Sequence, residues 1–272
     1  MKTSDIFKEI KKFSNTKKAK ASLRFFKTAP GQYGHGDQFL GLAVPESRTI
    51  AKKYAGLDKA TIQKLLNSVW HEERLIGLMI LVHNYETLKK LQKKFEPKKK
   101  TNPVKATNQK IKIVDASQKK TELLVFADHK MIVDFYLKNK SAINNWDLVD
   151  LSSYKILGDY CLQNQDSKIL FKMISSKQHW DRRMAMVSSY AFIKNNQPEI
   201  AFALAEQVLN DPEDLMHKAS GWMLREAGKK DLPALKLFIK KHYHNMPRTM
   251  LRYCIEKFSP VERKKILQQP RS

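Results

Sequence analysis

Apolar residues along the chain recur at three- and four-residue spacings, as in Thr61-Ile-Gln-Lys-Leu-Leu-Asn-Ser-Val69. That spacing gathers apolar side chains on one face of an α-helix and leaves the opposite face polar. Glycine and proline total 9 and 10 residues and fall mostly in short punctuations between these runs, as expected where helix follows helix. The β-branched residues do not collect into alternating runs bounded by turns, so strands are not expected. An all-α fold follows.

Two stretches break the pattern. Thr28 to Asp37, with its Gly and Pro density, is a turn; it is no phosphate-binding P-loop, since no Gly-Lys-Ser/Thr follows and no strand precedes it. Glu96 to Thr121 is rich in Lys, Asn and Thr and poor in large apolar residues, which predicts a basic loop inserted between helical repeats.

The second half carries a recurrence. Trp146-Asp-Leu-Val-Asp150, Trp180-Asp-Arg-Arg183, Leu215-Met-His-Lys218 and Met246-Pro-Arg248 open successive helices, and Asp150, Arg183, Lys218 and Arg252 step along the chain by about 33 to 35 residues. A period of that length marks stacked helical pairs. The tetratricopeptide signature is missing, so HEAT-like pairs forming a superhelical solenoid with a concave basic cleft are expected. One domain is expected over residues 1–272, interrupted by the insertion at 96–121.

Charge adds what periodicity cannot. The chain has 51 Lys and Arg against 27 Asp and Glu, a formal net charge of +24, which favours a polyanionic partner, nucleic acid before a membrane surface. No window approaches the roughly 18 apolar residues of a membrane span, and the charged opening MKTSDIFKEI lacks the apolar stretch of a signal peptide and any acylation motif. A cytoplasmic location and a monomer are expected. Cys161 and Cys254 are far apart and the eight histidines form no metal-ligand spacing, so neither disulfides, a metal nor a cofactor is expected.

Three helix starts place a tryptophan and a polar group on one face: Trp146 with Asp150, Trp180 with Arg183, and Lys218 with Trp222. A carboxylate is an odd choice for holding DNA, because it repels phosphate. One reading is purely structural: Asn144 or Asn145 caps the helix, Asp147 and Asp150 sit in its first turn, and Trp146 fills the core. In the other, Arg183, one repeat onward, pairs with Asp150 or with a phosphate beside it.

These segments, together with Phe39-Leu-Gly-Leu-Ala-Val-Pro45, His71-Glu-Glu-Arg74, Lys218-Ala-Ser-Gly-Trp-Met-Leu-Arg-Glu226 and Met246-Pro-Arg-Thr-Met-Leu-Arg-Tyr253, resemble the AlkD-type DNA alkylation repair enzymes, HEAT-like-repeat glycosylases that remove N3- and N7-alkylated purines. The resemblance covers most of the chain outside the insertion. It implies that Asp150 is the catalytic aspartate, that Trp146 and Trp222 face the lesion, and that Arg183, the third position after Trp180, is the cleft arginine. It implies as partner double-stranded DNA containing alkylated purines, and hydrolysis of the N-glycosidic bond without base flipping.

The chemistry agrees with that assignment. A purine alkylated at N3 or N7 is cationic, so the base departs without a general acid and one carboxylate suffices to steady the oxocarbenium-like sugar. Of the remaining cations, Arg182, Lys218, Arg74, Arg248, Arg252, Lys27 and Arg48 are expected to contact DNA, with Lys17, Lys18, Lys20 and Arg24 as further phosphate ligands. The rival from another class is a non-catalytic helical-repeat module that binds damaged or branched nucleic acid; it needs the cations but not Asp150.

Overall fold

The computed structural model describes residues 3–95 and 125–270; the basic segment 96–121 singled out in the sequence lies outside the described residues. Among those residues the chain is all-helical, and its sole β pairing is an isolated bridge between Gln38 and Trp70. Chain contacts divide it into two compact units, Met1–Leu148 and Val149–Ser272.

The first unit holds α1 (Thr3–Lys12), α2 (Thr16–Phe25), α3 (Val44–Lys53), α4 (Lys59–Leu66), α5 (His71–Phe95) and α6 (His129–Lys138). Its centre is α5, against which α3, α4 and α6 pack. Ile76, Leu78, Ile80, Leu81 and Tyr85 of α5 are all buried, the pattern of a helix enclosed by its neighbours. Helix starts are set by short polar side chains: Asn15 accepts from the Lys18 N–H, Asp58 from that of Thr61 and Asp128 from that of Met131.

The loop from α2 to α3 is held by the buried Glu72 carboxylate, which accepts the backbone N–H groups of Leu40, Gly41 and Leu42 at 2.9, 2.7 and 3.2 Å. Beside it, His71 is clamped. Its Nδ1 lies 3.1 Å from Asp37 Oδ2 and its Nε2 2.8 Å from Asp147 Oδ2, with all three residues buried. Burial opposes the charged ring, but the hydrogen bonds and charges of the two carboxylates outweigh it and raise the His71 pKa to about 9. Asp37 is held below the ordinary carboxylate range: burial opposes this, and the bonds from His71 and Asn145 and the charges of Arg74 and His71 overcome it.

The chain then enters α7 (Trp146–Ser153), within which the boundary between the units falls. α7 continues through one wide π-helical turn, Tyr154–Gly158, into α8 (Asp159–Gln163). The second unit adds α9 (Lys168–Ile174), α10 (His179–Ser188), α11 (Tyr190–Lys194), α12 (Glu199–Gln207), α13 (Asp214–Gly228), α14 (Leu232–His242), α15 (Arg248–Cys254) and α16 (Pro260–Leu267). The helices that open each pair begin at Trp146, His179, Asp214 and Arg248, the expected spacing of about 33 to 35 residues. In one row the π turn packs on α10, α10 on α13 and α13 on α15; in the other, α9 packs on α12.

Two glycines let the first row close up. A Cβ at Gly158 would lie 2.3 Å from the Ser188 carbonyl oxygen, and one at Gly221 would lie 2.6 Å from that of Met250. Such contacts with backbone cannot be relieved by a side chain swinging away. We expect Gly158→Ala to lower stability in urea unfolding by about 1 to 3 kcal/mol, the usual cost of overpacking, whereas Gly56→Ala, with open space around it, stays near neutral. Equal losses for the two would refute the close-packing account.

The His71 clamp has its own pH signature. Its folded pKa of about 9 lies above the ordinary histidine value of 6.5, so its stabilisation is complete below about pH 6.5 and is lost as pH rises through about 9. Unfolding free energies measured from pH 6 to 9.5 should fall in the native chain and fall less steeply in His71→Gln. Parallel slopes would show that the ring is not charged in the fold.

Candidate functional site

In the second unit, two of the four residues singled out for chemistry meet directly. Arg183 Nε donates to Asp150 Oδ1 at 3.1 Å and Nη2 donates to Oδ2 at 2.8 Å. This fork-to-fork pair fixes both planes at once. The Arg183 side chain is 5% exposed and that of Asp150 18%, so the guanidinium is inside and the carboxylate reaches toward solvent. Arg183 Nη1 donates to the Leu215 carbonyl, which ties α10 to the first turn of α13. Periodicity puts these contacts in reach: Asp150 and Arg183 hold corresponding places in consecutive pairs, 33 residues apart.

α13 also carries Lys218 and Trp222, one turn apart and on the face that Leu215 begins. Lys218 lies 2.7 Å from Asp214 and lowers the pKa of that carboxyl through their hydrogen bond. Trp222 is half-buried beside Tyr190, with centroids 6.0 Å apart, and Tyr190 meets Tyr154 edge-on at 5.2 Å. Neither tyrosine was expected from the sequence, although Tyr154 lies one turn past Asp150, where the π turn begins.

Trp146 precedes Asp150 by one turn of α7, and its ring belongs to an aromatic stack in the first unit. Phe26 stacks on it at 5.5 Å and Phe25 meets it edge-on at 6.0 Å. Phe39 stacks on Phe26 at 4.9 Å, and the His71 ring lies 4.7 Å from Phe39. Asn145 supports the helix start by accepting the Trp146 N–H and donating to Asp37. Asp147 faces the His71 clamp rather than Asp150's partner. These phenylalanines, His71 and Asp37 are the residues that sequence reasoning missed, because only tertiary contact joins them to Trp146.

The expected DNA-contacting cations divide sharply. Lys27, Arg48 and Arg252 are exposed, as are Lys17, Lys18, Lys20 and Arg24. Arg248 is exposed, though Nη2 donates to the Leu267 carbonyl. Arg182 is bidentate on Asp211 and also donates to the Ser176 and Lys177 carbonyls. Arg74 is buried, donating to Asp37, to Asn144 and to the Ser68 carbonyl. Both of these guanidiniums are occupied inside the chain.

His179 opens α10 beside the two arginines. Burial first, then the charges of Arg183 and Arg182, push its pKa down to about 4, so it is neutral and adds no charge to the pair. Among the described residues no group of three or more His, Cys, Asp or Glu side chains could hold a metal ion, and no helix is long and apolar enough to cross a membrane. Within the second unit the arrangement therefore offers an oriented carboxylate, with Trp222 on the helix its partner arginine grips.

A solved structure described as a predicted DNA alkylation repair enzyme from Enterococcus faecalis has the same fold, with a TM-score of 0.58 at 13% identity over 91% of this chain and 97% of that one. No curated protein matches the chain. The family model for DNA alkylation repair enzymes matches residues 6–258, a span that contains every described residue of the Asp150 and Trp146 groups. With nearly its whole length so matched, the chain belongs to the DNA alkylation repair enzyme family.

Proposed function

We propose that this chain is a DNA glycosylase that hydrolyses the N-glycosidic bond of cationic N3- and N7-alkylpurines in double-stranded DNA, acting as a monomer without a cofactor and without extruding the base. The observation that carries this reading is the Asp150–Arg183 pair, a carboxylate aimed by a buried guanidinium while still reaching solvent. Its family membership supports a role in DNA repair.

In the reaction the bond between C1′ and the purine nitrogen breaks heterolytically. The electron pair goes to the base, cancels its positive charge, and leaves an oxocarbenium-like sugar. Asp150 stabilises that cation and orients a water whose oxygen bonds to C1′, the water's proton passing to the carboxylate and on to solvent. The faces of Trp146 and Trp222 attract the cationic lesion by about 0.5 to 2 kcal/mol. Lys27, Arg48, Lys218, Arg248 and Arg252 bind the phosphates, while Arg74 and Arg182, engaged by Asp37 and Asp211, shape the segments that present them.

A second reading has an observation of its own. Arg183 is buried and needs a counter-charge, so Asp150 has a structural reason to be there even in a DNA-binding module that does no chemistry. Single-turnover release of 7-methylguanine from methylated duplex separates the two. Asp150→Asn should slow release by about 100-fold or more and change duplex affinity little. Because the substitution leaves Arg183 unneutralised, the double variant Asp150→Asn/Arg183→Gln is the companion: it should recover thermal stability but not activity. Release at the native rate by a folded double variant would show that Asp150 does not carry the chemistry, and no release beyond the spontaneous rate by the native chain would leave only the binding module.

A further inference from the structure

α14, α16 and the turn before α16 line an open cavity of about 410 Å³. Its apolar surface comes from the buried Ile239 and Tyr243 and the half-buried Phe258 and Ile266. Around these stand three exposed ammonium groups, Lys236, Lys240 and Lys265. None of these residues belongs to the Asp150 or Trp146 groups, and α16 starts at Pro260, beyond the residues matched by the family model.

The polar groups already in place define what is missing. Glu262 is spent on capping α16, accepting from the Ser259 hydroxyl and N–H, and on Lys236 at 3.3 Å. The Tyr243 hydroxyl meets the Ile266 and Gln269 carbonyls at 2.8 Å each. Among the described residues neither Lys240 nor Lys265 has an ion-pair partner. An occupant must therefore bring an apolar body for the cavity and negative charge for its margin.

The surface around the cavity extends the same demand. Leu237 is 66% and Val261 78% exposed, and at 100° per residue each stands at the edge of the helix face that lines the cavity. Apolar side chains beyond the margin suit an extended partner better than a compact one. The chain's own segment 96–121 carries eight lysines against Glu96 and Asp115, and a second copy carries a net charge of +24; like charge disfavours both. Duplex DNA would satisfy the lysines but presents phosphate, with its bases stacked away, to an apolar cavity.

We propose that this cavity docks an acidic peptide segment of another protein, with a large apolar side chain in the cavity and carboxylates on Lys240 and Lys265. The proposal stands apart from the glycosylase reading and is tested without it. The probe is a fluorescein-labelled peptide of about twelve residues with a central Trp-Leu pair among Asp and Glu, titrated with the full chain and followed by anisotropy. Binding should weaken at least about tenfold when Trp and Leu become Ser, and at least about tenfold in Lys240→Glu/Lys265→Glu, whose exposed positions leave the thermal melt unchanged. Equal affinity for the peptide without its anchors would reduce the site to unspecific charge and overturn the proposal. So would no binding, indole acetate binding as tightly as the peptide, or unmodified duplex affinity falling in the double variant as far as the peptide's.

Discussion

A guanidinium buried among packed helices must be neutralised and have its N–H groups satisfied, and in the second unit that requirement fixes more than any other contact. Arg183 meets it with three partners from two other helices: both oxygens of Asp150 and the carbonyl of Leu215. Removing either charge leaves the other stranded at a cost larger than the pair itself is worth. The demands of folding and of the proposed chemistry thus fall on the same atoms. The arginine that makes Asp150 structurally necessary also holds its carboxylate in one orientation.

The pair needs its helices close together, and the sequence supplies the means at Gly158 and Gly221, where backbone meets backbone with no room for a Cβ. Between these contacts lie the buried faces of α10 and α13, carrying Met184, Met186, Val187, Met216, Ala219 and Met223. Close approach of this row permits Arg183 to span it, and the π turn just after α7 changes the phase of the helix within one turn of Asp150. A turn of that kind is rare and is often found at functional positions.

In the first unit a second electrostatic cluster acts locally. Asp37 receives His71, Arg74, Asn144 and Asn145, while His71 also reaches Asp147 at the start of α7. Each charge has an opposite partner, which makes burial tolerable, and Trp146 is flanked in the chain by Asn145 and Asp147 of this cluster. The start of α7 is thus fixed by one set of buried ions and its middle by another.

The sequence alone determined the helices, because apolar spacing and short polar caps are local properties, and the repeat, because equivalent helix starts return at Trp146, His179, Asp214 and Arg248. It also brought Asp150 and Arg183 into view as partners, since contacts between stacked pairs recur at the repeat length. Only the tertiary structure decided which cations are spent. Arg74 and Arg182 look in sequence like Arg48 and Arg252, but Asp37, 37 residues from Arg74, and Asp211, 29 from Arg182, engage the first two. The His71 clamp and the Phe26, Phe39 and Trp146 stack were invisible for the same reason. A side chain's type and helical phase are written locally, whereas its charge partner and its burial depend on which distant segments the fold brings beside it.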